Sequence, residues 1–429
     1  MPAGVGKVLG GQGGEASGEA SGPIGPPARS GVTRSLARME SLRQEPFRLL
    51  FPIGIALAIC GIFPWLLFAA GATRTWPGLY HAFTMTEGFV VAVAAGFLLT
   101  MIPRRTRTHP ASVLELAVIA LGCVAVAPMV WLGAVRVAEG AYLIVLGVLA
   151  QFIARRIRQG AGRAAPSFVL IPLALAEGIV GALCLIVAYT VSAPGLLAVG
   201  RKLIEEGLPF SLVLAVAPLL TAAMVEGRAV EREPGKLGRA AIGQLAFGIL
   251  FAVGLVAGAL GWTQRGLALS AAVLVVALWR AGVWRRATVA GLHRRLYQIA
   301  LTLVPLGYLL AAARPAWWLP FLHISFVGGL SLLILAVSFH VVFLHTGRQS
   351  LAFGRPWFVV ASGLLVLSAM LVRATAERAA DYPLALGIAS SLWLAGALVW
   401  GLAIGRMVFS APGAPSGHPQ KFAKSSQVN

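Results

Sequence analysis

The dominant pattern along the chain is a succession of long apolar runs separated by short polar breaks. About 20 apolar residues suffice for a helix to cross the ~30 Å hydrocarbon core of a bilayer. The pattern therefore predicts an all-α fold, a polytopic transmembrane helix bundle of about twelve helices. The fourth and eighth runs give the weakest signal. The predicted segments are 48–70, 81–102, 112–133, 138–154, 166–192, 207–226, 240–260, 266–284, 296–313, 317–345, 356–373 and 382–408.

The two ends of the chain have a different composition. Residues 1–45 are dominated by Gly, Ser, Ala, Pro and Arg, which cannot bury enough apolar surface to order a chain. We therefore predict a disordered cytoplasmic arm over 1–45, a transmembrane bundle over 46–409 and a disordered cytoplasmic tail over 410–429. No apolar stretch falls in the first thirty residues, so no signal peptide is predicted.

Composition supports the membrane assignment and excludes other classes. The chain is 58% hydrophobic and 12% charged, with a mean hydropathy of +0.83, whereas a soluble domain is about 25% charged. The net charge of +20 comes from arginines scattered between apolar runs, which argues against a nucleic-acid partner. Cys60, Cys123 and Cys184 lie inside apolar runs without a CxxC motif, which argues against thiolate clusters and covalently attached haem.

The distribution of positive charge gives the bundle a direction. About three quarters of the 35 lysines and arginines lie in the N-terminal arm, the even-numbered breaks and the C-terminal end. Positively charged breaks stay in the cytoplasm, so both termini are predicted to be inside. The protein is thus expected to be a multi-pass protein of the lipid bilayer, in the bacterial cytoplasmic membrane.

Ionisable side chains inside a membrane segment are costly and therefore become candidate functional residues. Glu139 and Arg373 lie near helix ends, where we expect them to reach water, and His293 lies in an arginine-rich break, where we expect it to be solvated. The candidates within segments are His81, Glu87, Glu115, Glu177, His323, His340 and His345.

His81 and His323 are predicted to lie at similar depth near the outer face. Two neutral imidazoles at one level can ligate haem iron or copper, or each can hydrogen-bond locally. Met85 follows His81 by one helical turn on the same face. Glu87 lies deeper and either accepts a hydrogen bond from a ligand histidine, carries protons, or pairs with a Ser or Thr. No catalytic constellation is identifiable, so the sequence does not establish an enzyme.

His340 and His345 are too far from His323 to share its metal. They follow it by 17 and 22 residues, about 26 and 33 Å along a straight helix. Both belong to the predicted inner face, as does His109. A second, inner metal site formed by His109, His340 and His345 is one reading, and interfacial histidines without a metal are the other.

Three segments resemble the NnrS family. They are the opening Pro46–Pro52, the second helix with Tyr80-His81-Ala82, Gly88-Phe89 and Gly96–Thr100, and the tenth helix with His323, Val327-Gly328 and the closing His345-Thr346-Gly347-Arg348. The resemblance implies a membrane protein that holds haem and/or copper and takes part in nitric oxide metabolism or nitrosative-stress protection. It makes His81 and His323 the leading ligand candidates and matches His345 to the closing histidine.

The chain also departs from the family pattern. The family has His-Ala-His-Glu-Met where this chain has His81-Ala82-Phe83-Thr84-Met85, and a family arginine is replaced by His340. The replacements at Phe83 and Thr84 predict a reduced or absent metal complement. Nitric oxide or another small gas is the ligand that the resemblance implies.

Two other functions remain open. Glu87, Glu115 and Glu177 are carboxylates that a proton-coupled secondary transporter can use, although no clear internal repeat is seen. A membrane protein without a cofactor is the second alternative. A nitric-oxide reductase or terminal oxidase is disfavoured because no adjacent His-His pair occurs in the sequence.

Overall fold

The computed structural model describes residues 31–160, 165–228 and 237–409, and within these ranges the chain is helical without a strand. It divides into two compact units, Met1–Glu40 and Ser41–Asn429. Helix α1, Gly31–Gln44, lies in the arm predicted to be disordered, so that end of the arm is helical. The rest of the predicted arm and the predicted tail lie outside the described residues.

In its described residues, the second unit contains twelve further long helices, in three successive sets of four, and a short 3-10 helix, Gln349–Phe353. We count α, 3-10 and π turns that continue one another as one helix. The first set is α2 Phe47–Ala69, α3 Gly78–Thr106, α4 Val113–Trp131 and α5 Val135–Gln159. The second set is α6 Pro166–Val191, α7 Pro194–Met224, α8 Leu237–Ala259 and α9 Thr263–Arg280. The third set is α10 Leu292–Ala313, α11 Pro315–His345, α12 Trp357–Arg378 and α13 Tyr382–Phe409.

Eleven of the described helices are long and apolar enough to cross a membrane, which confirms the predicted bundle. The predicted twelfth crossing corresponds to α9, the weak eighth segment. This helix has 18 residues, about 27 Å, and carries Arg265 near one end and Arg280 at the other. It packs against both α8 and α10. Placing both termini on one side of the membrane requires α9 to cross as well, and that placement stays a prediction.

The three sets repeat one packing scheme. In each set the second helix packs on the first and the third packs on the fourth, while the fourth helix contacts the first helix of the next set. Helix α13 packs against α2, which closes the ring within this unit. The second helices α3, α7 and α11 have 29, 31 and 31 residues and are the most buried of the eleven spans. The amino-acid sequence shows no clear internal repeat, so the threefold pattern is visible only in the packing of the described helices.

Each of the three central helices contains a π turn near the same end. The turns are Thr84–Val90, Leu203–Gly207 and Ile324–Ser331. Their fifth residue is a glycine in every case, Gly88, Gly207 or Gly328. A side chain at Gly328 would collide with Met370, and one at Gly207 would press on Glu177 at 3.3 Å. Such turns are frequent at functional sites because they redirect side chains within a helix.

Helix α7 begins well before the predicted segment 207–226. Its first turns contain four charged residues that lower the local hydropathy and hide the helix from an apolar-run search. In the structure these charges are paired one turn apart, Arg201 with Glu205 and Lys202 with Glu206. Tyr308 of α10 donates a further hydrogen bond to Glu206 at 2.7 Å. Because the charges compensate one another, the helix can continue into the bundle.

Candidate functional site

A cavity of about 490 Å³ lies among α2, α3, α7, α11, α12 and α13. Its volume falls in the range of about 300–1,000 Å³ that is usual for small-molecule and cofactor sites. Apolar and aromatic side chains form most of the wall, including Trp65, Trp76, Phe89, Phe326 and Trp393. We call it the histidine cavity, and its ionisable lining side chains are His81, Arg201, Glu205, His323, Arg373 and Tyr382.

His81 and His323 both line the histidine cavity and interact electrostatically with each other. His81 enters from the first turns of α3, and its ring meets Trp65 edge-on at 5.8 Å between centroids. His323 enters from α11, immediately before the π turn, with Phe326 edge-on at 6.1 Å. The structure thus brings together the two histidines that the sequence placed at similar depth.

The hydrogen bonds of these two rings leave one nitrogen of each available. Nδ1 of His81 lies 3.1 Å from the carbonyl oxygen of Gly61, and Nδ1 of His323 lies 2.8 Å from that of Leu319. A carbonyl only accepts, so Nδ1 carries the proton and Nε2 keeps its lone pair in a neutral ring. Neither Nε2 has a hydrogen-bond partner within the described ranges. Metal-ligating histidines typically show this orientation, with the second nitrogen donating to a carbonyl.

Met85 lines the same cavity one turn after His81. Its thioether packs against α2 at Gly61, where an added Cβ would lie 3.1 Å from the Met85 sulfur. The missing side chain at Gly61 therefore allows the close contact with Met85. A thioether beside imidazoles is a donor combination suited to copper.

Two arginines line the histidine cavity, and they differ in whether a carboxylate is paired with them. Arg201 donates from Nε to Glu205 at 2.7 Å, so this pair is neutral as a unit. Arg373 lines the cavity from the end of α12, and its Nη1 is buried without a hydrogen-bond partner in the described ranges. We expected Arg373 to reach water, and the structure corrects this for its Nη1.

Glu87 and Glu139 form a buried carboxyl pair beside the cavity. Glu139 was expected to reach water from a helix end, yet it is fully buried, and Glu87 is 1% exposed. The two groups interact with each other, and Glu87 also interacts with Glu205 of the cavity. None of their four oxygens has a partner with ordinary hydrogen-bond geometry in the described residues. The pair therefore lies where a proton can be shared between two carboxyl groups.

The other two carboxylate candidates are in different surroundings. Glu115 closes a capping box with Ser112 at the start of α4 and pairs with Arg156 at 3.0 Å. These contacts account for Glu115 as a structural residue. Glu177 is buried in α6 beside Gly207, and neither of its oxygens has a partner with ordinary hydrogen-bond geometry in the described part of the chain.

The predicted inner histidines do not form the expected cluster. His340 pairs with His293, with Nδ1 and Nε2 separated by 3.2 Å and the rings nearly parallel. His293 is 1% exposed, so the expectation that it is solvated is wrong. His109 is exposed, and His345 contacts Glu45 at 3.1 Å instead of His340. The inner metal site of three histidines is therefore not assembled.

Glu45 connects the segments that carried the family resemblance. Its carboxylate accepts hydrogen bonds from Arg48, Arg104 and His345, and Arg48 also donates to the carbonyl of Val408 at 2.7 Å. Partial burial opposes ionisation, but the hydrogen bonds from His345 and Arg48 outweigh it and lower the pKa of Glu45 to about 2. This Glu45 cluster ties together the ends of helices from the first and third sets.

The residues of the histidine cavity fit a haem or a copper ion. In the described ranges no three His, Cys, Asp or Glu side chains converge as a complete metal site. Haem iron requires only one or two protein ligands, because the porphyrin supplies the rest, and the two Nε2 atoms are suited to this role. Phe83 and Thr84, which replace the family's His and Glu, are buried outside the cavity lining.

The fold and the cavity define a polytopic membrane protein with an internal cavity. The family model described as NnrS protein matches residues 41–411, and the chain belongs to this family. A comparison with curated proteins finds no match.

Sequence reasoning missed Arg201 and Glu205 in the histidine cavity, and it expected Arg373 and Glu139 to reach water at helix ends. One signal was available, the (i, i+4) spacing of Arg201 and Glu205, which predicts a helix instead of a break. The burial of Arg373 and Glu139 has no signal in the sequence.

Proposed function

We propose that this protein is an NnrS-like protein of the bacterial inner membrane that binds haem and/or copper and acts in nitric oxide metabolism or nitrosative-stress protection. The observation that supports this proposal is the pair His81 and His323 at one cavity, each with Nδ1 bonded to a carbonyl. A bound haem iron or copper would supply a site that coordinates nitric oxide or another small gas.

The chain's own residues prepare the cavity for that role. The carbonyls of Gly61 and Leu319 fix the ring orientation and the tautomer of the two histidines. The mainly apolar and aromatic wall gives a bound ligand few water-attracting groups nearby. Met85 adds a thioether on the His81 side of the cavity. A thioether is a soft donor that favours copper over harder metal ions.

The test is purification in detergent after growth with a haem precursor and copper, followed by visible spectroscopy and metal analysis. We expect a Soret band or stoichiometric copper in the wild type. His81→Ala and His323→Ala should each lose it, whereas His109→Ala should keep it because His109 is exposed and lies outside the cavity. A wild-type preparation that is colourless and metal-free contradicts the proposal.

A second candidate function is proton-coupled transport, which the carboxyl pair Glu87–Glu139 favours. Two buried carboxyls that lack other hydrogen-bond partners are suited to take up and release a proton. Proton-coupled uptake of a solute by vesicles, lost in Glu139→Gln and retained in Glu377→Gln, would support this function. Glu377 is an exposed carboxylate and serves as the matched control.

A further inference from the structure

The charges that line the histidine cavity do not balance. Arg201, Arg373 and Glu205 all line it. Glu205 is the one carboxylate among these lining residues, and it is paired with Arg201, whose Nε donates a hydrogen bond to it at 2.7 Å. The two histidines are neutral when Nδ1 donates and Nε2 keeps its lone pair. One positive charge, that of Arg373, therefore remains without a partner in the cavity wall.

The position of Arg373 makes this imbalance costly. Its Nη1 is buried and has no hydrogen-bond partner in the described ranges. It interacts electrostatically with both His81 and His323, so the guanidinium lies near the two candidate ligands. Tyr382 of the cavity wall and the exposed Glu377 also interact electrostatically with it, but neither forms a hydrogen bond or an ion pair with it in the described ranges.

Arg373 is partly buried, and its Nη1 has lost contact with water without gaining an acceptor, which is unfavourable for a charged donor. Buried donors in folded proteins almost always have an acceptor. A ligand that brings a negative charge into the cavity removes the penalty and gains charge-assisted hydrogen bonds. The planar fork of arginine matches planar anions such as carboxylates better than it matches spherical ions.

We propose that Arg373 forms an anion-binding subsite of the histidine cavity, for a carboxylate or another planar oxyanion. Two sources supply this chemistry. One is the carboxylate of a haem held by His81 and His323, and this source rests on the proposed function. The other is a small free oxyanion, which requires no cofactor.

The remainder of the cavity is consistent with an anionic group on a larger apolar body. Its volume of about 490 Å³ exceeds what a small anion fills, and aromatic side chains line most of it. Arg373 then holds the acidic edge of the ligand while Trp65, Trp393 and Phe326 contact its apolar part. A ligand of this kind pairs with the positive charge of Arg373 and contacts the apolar wall of the cavity.

The first experiment uses the full-length protein, produced without haem precursor or added copper and purified in detergent. Hemin and hemin dimethyl ester, which lacks free carboxylates, are titrated and followed at the Soret band. We expect the wild type to bind hemin at least about tenfold more tightly than the ester. Arg373→Gln should abolish this difference, Arg373→Lys should retain part of it, and Arg378→Gln should leave it intact. Arg378 is a matched control because it is exposed at the same end of α12.

The second experiment tests the free oxyanion in the same cofactor-free protein. Sodium nitrite or sodium nitrate should raise the thermal midpoint of the wild type and of Arg378→Gln more than sodium chloride does at equal ionic strength. The increase should be absent in Arg373→Gln. Without any anion, Arg373→Gln should melt higher than the wild type, because it removes an unpaired buried charge.

The outcomes distinguish the two proposals. The anion subsite is wrong if hemin and its ester bind equally well and neither oxyanion exceeds chloride, or if Arg373→Gln behaves as the wild type in both experiments. A further outcome is that His81→Ala and His323→Ala bind hemin as tightly as the wild type does and still bind the ester more weakly than hemin. That result contradicts the role of the two histidines as ligands and supports the anion subsite at Arg373. If neither porphyrin binds, the oxyanion experiment alone decides.

Discussion

The histidine cavity and the inner histidine groups use the same residue type in opposite ways. In the cavity, His81 and His323 each bond to a backbone carbonyl through Nδ1 and leave Nε2 without a partner in the described ranges. At the predicted inner side, His293 and His340 bond to each other, and His345 bonds to Glu45. Each cavity ring therefore keeps one nitrogen available to a ligand at the cavity, whereas each inner ring bonds to another side chain, and Nδ1 of His293 alone stays buried without a partner in the described ranges.

The same contrast applies to the arginines. At the predicted inner ends of the helices, Arg48 and Arg104 pair with Glu45, and Arg156 pairs with Glu115. Arg294 has a buried Nε without a partner but donates from Nη1 to two backbone carbonyls. In the cavity, Arg373 has a buried Nη1 without a partner and makes no other hydrogen bond with the described residues. A buried group without a partner indicates a missing ligand more reliably than the residue type does, because burial makes each unmet hydrogen bond costly.

The largest effect is expected from a test of which side each region faces. Starting from a variant in which Cys60, Cys123 and Cys184 are replaced, single cysteines are introduced at Thr75, Trp262 and Ala290, all exposed. A membrane-impermeant thiol reagent should label Thr75→Cys and Trp262→Cys from outside intact cells. It should label Ala290→Cys only after permeabilisation, because α9 crosses the membrane. Labelling of Trp262→Cys and Ala290→Cys from the same side would contradict two predictions, that α9 crosses the membrane and that both termini lie on one side of it.

A smaller effect is expected from breaking the inner histidine pair. His293→Ala and His340→Ala should each lower the free energy of unfolding by about 1 to 3 kcal/mol, since each leaves a buried partner unsatisfied. Both variants should keep any bound cofactor, unlike His81→Ala. Thermal or denaturant unfolding in detergent, together with the visible spectrum, measures both properties.

The double variant of His293 and His340 sharpens this result. If the two rings act as one hydrogen-bonded unit, its destabilisation should be smaller than the sum of the two single effects. Additive losses would contradict the pair. If His293→Ala and His340→Ala lose the Soret band at unchanged stability, the haem ligands are His293 and His340 and not the histidines of the cavity.

The smallest effect is expected from the Glu45 cluster and depends on pH. The pKa of Glu45 is lowered from 4.5 to about 2, so the native state favours the ionised form. Its contribution to stability is therefore complete above about pH 5 and is lost as the pH falls toward 2. Glu45→Gln should cost about 1 to 2 kcal/mol at pH 7. The gap to the wild type should narrow in melting curves recorded between pH 5 and pH 3.

The control for this experiment is Glu377→Gln, an exposed carboxylate at the opposite end of the bundle. It should melt as the wild type does at every pH. A gap between Glu45→Gln and the wild type that stays constant with pH would show that the residue contributes by packing and not by its charge.

The membrane segments were predictable because every helix that crosses a lipid bilayer must be long and apolar. Long apolar runs gave eleven of the helices, and alternating arginines gave a predicted direction. The start of α7 was missed because Arg201, Lys202, Glu205 and Glu206 read as a polar break. Their charges cancel only once the helix has formed and places them one turn apart.

The sequence by itself determined the all-helical membrane bundle and the resemblance to its family, and it predicted a shared depth for His81 and His323. These follow from helix length, charge placement and motifs, which are local properties of the chain. Only the tertiary structure decided the threefold arrangement of helices, the pairing of His293 with His340, the burial of Glu139 and the unpartnered Arg373. Those features depend on which helices become neighbours, because burial and hydrogen bonding across helices depend on packing between residues far apart in the chain.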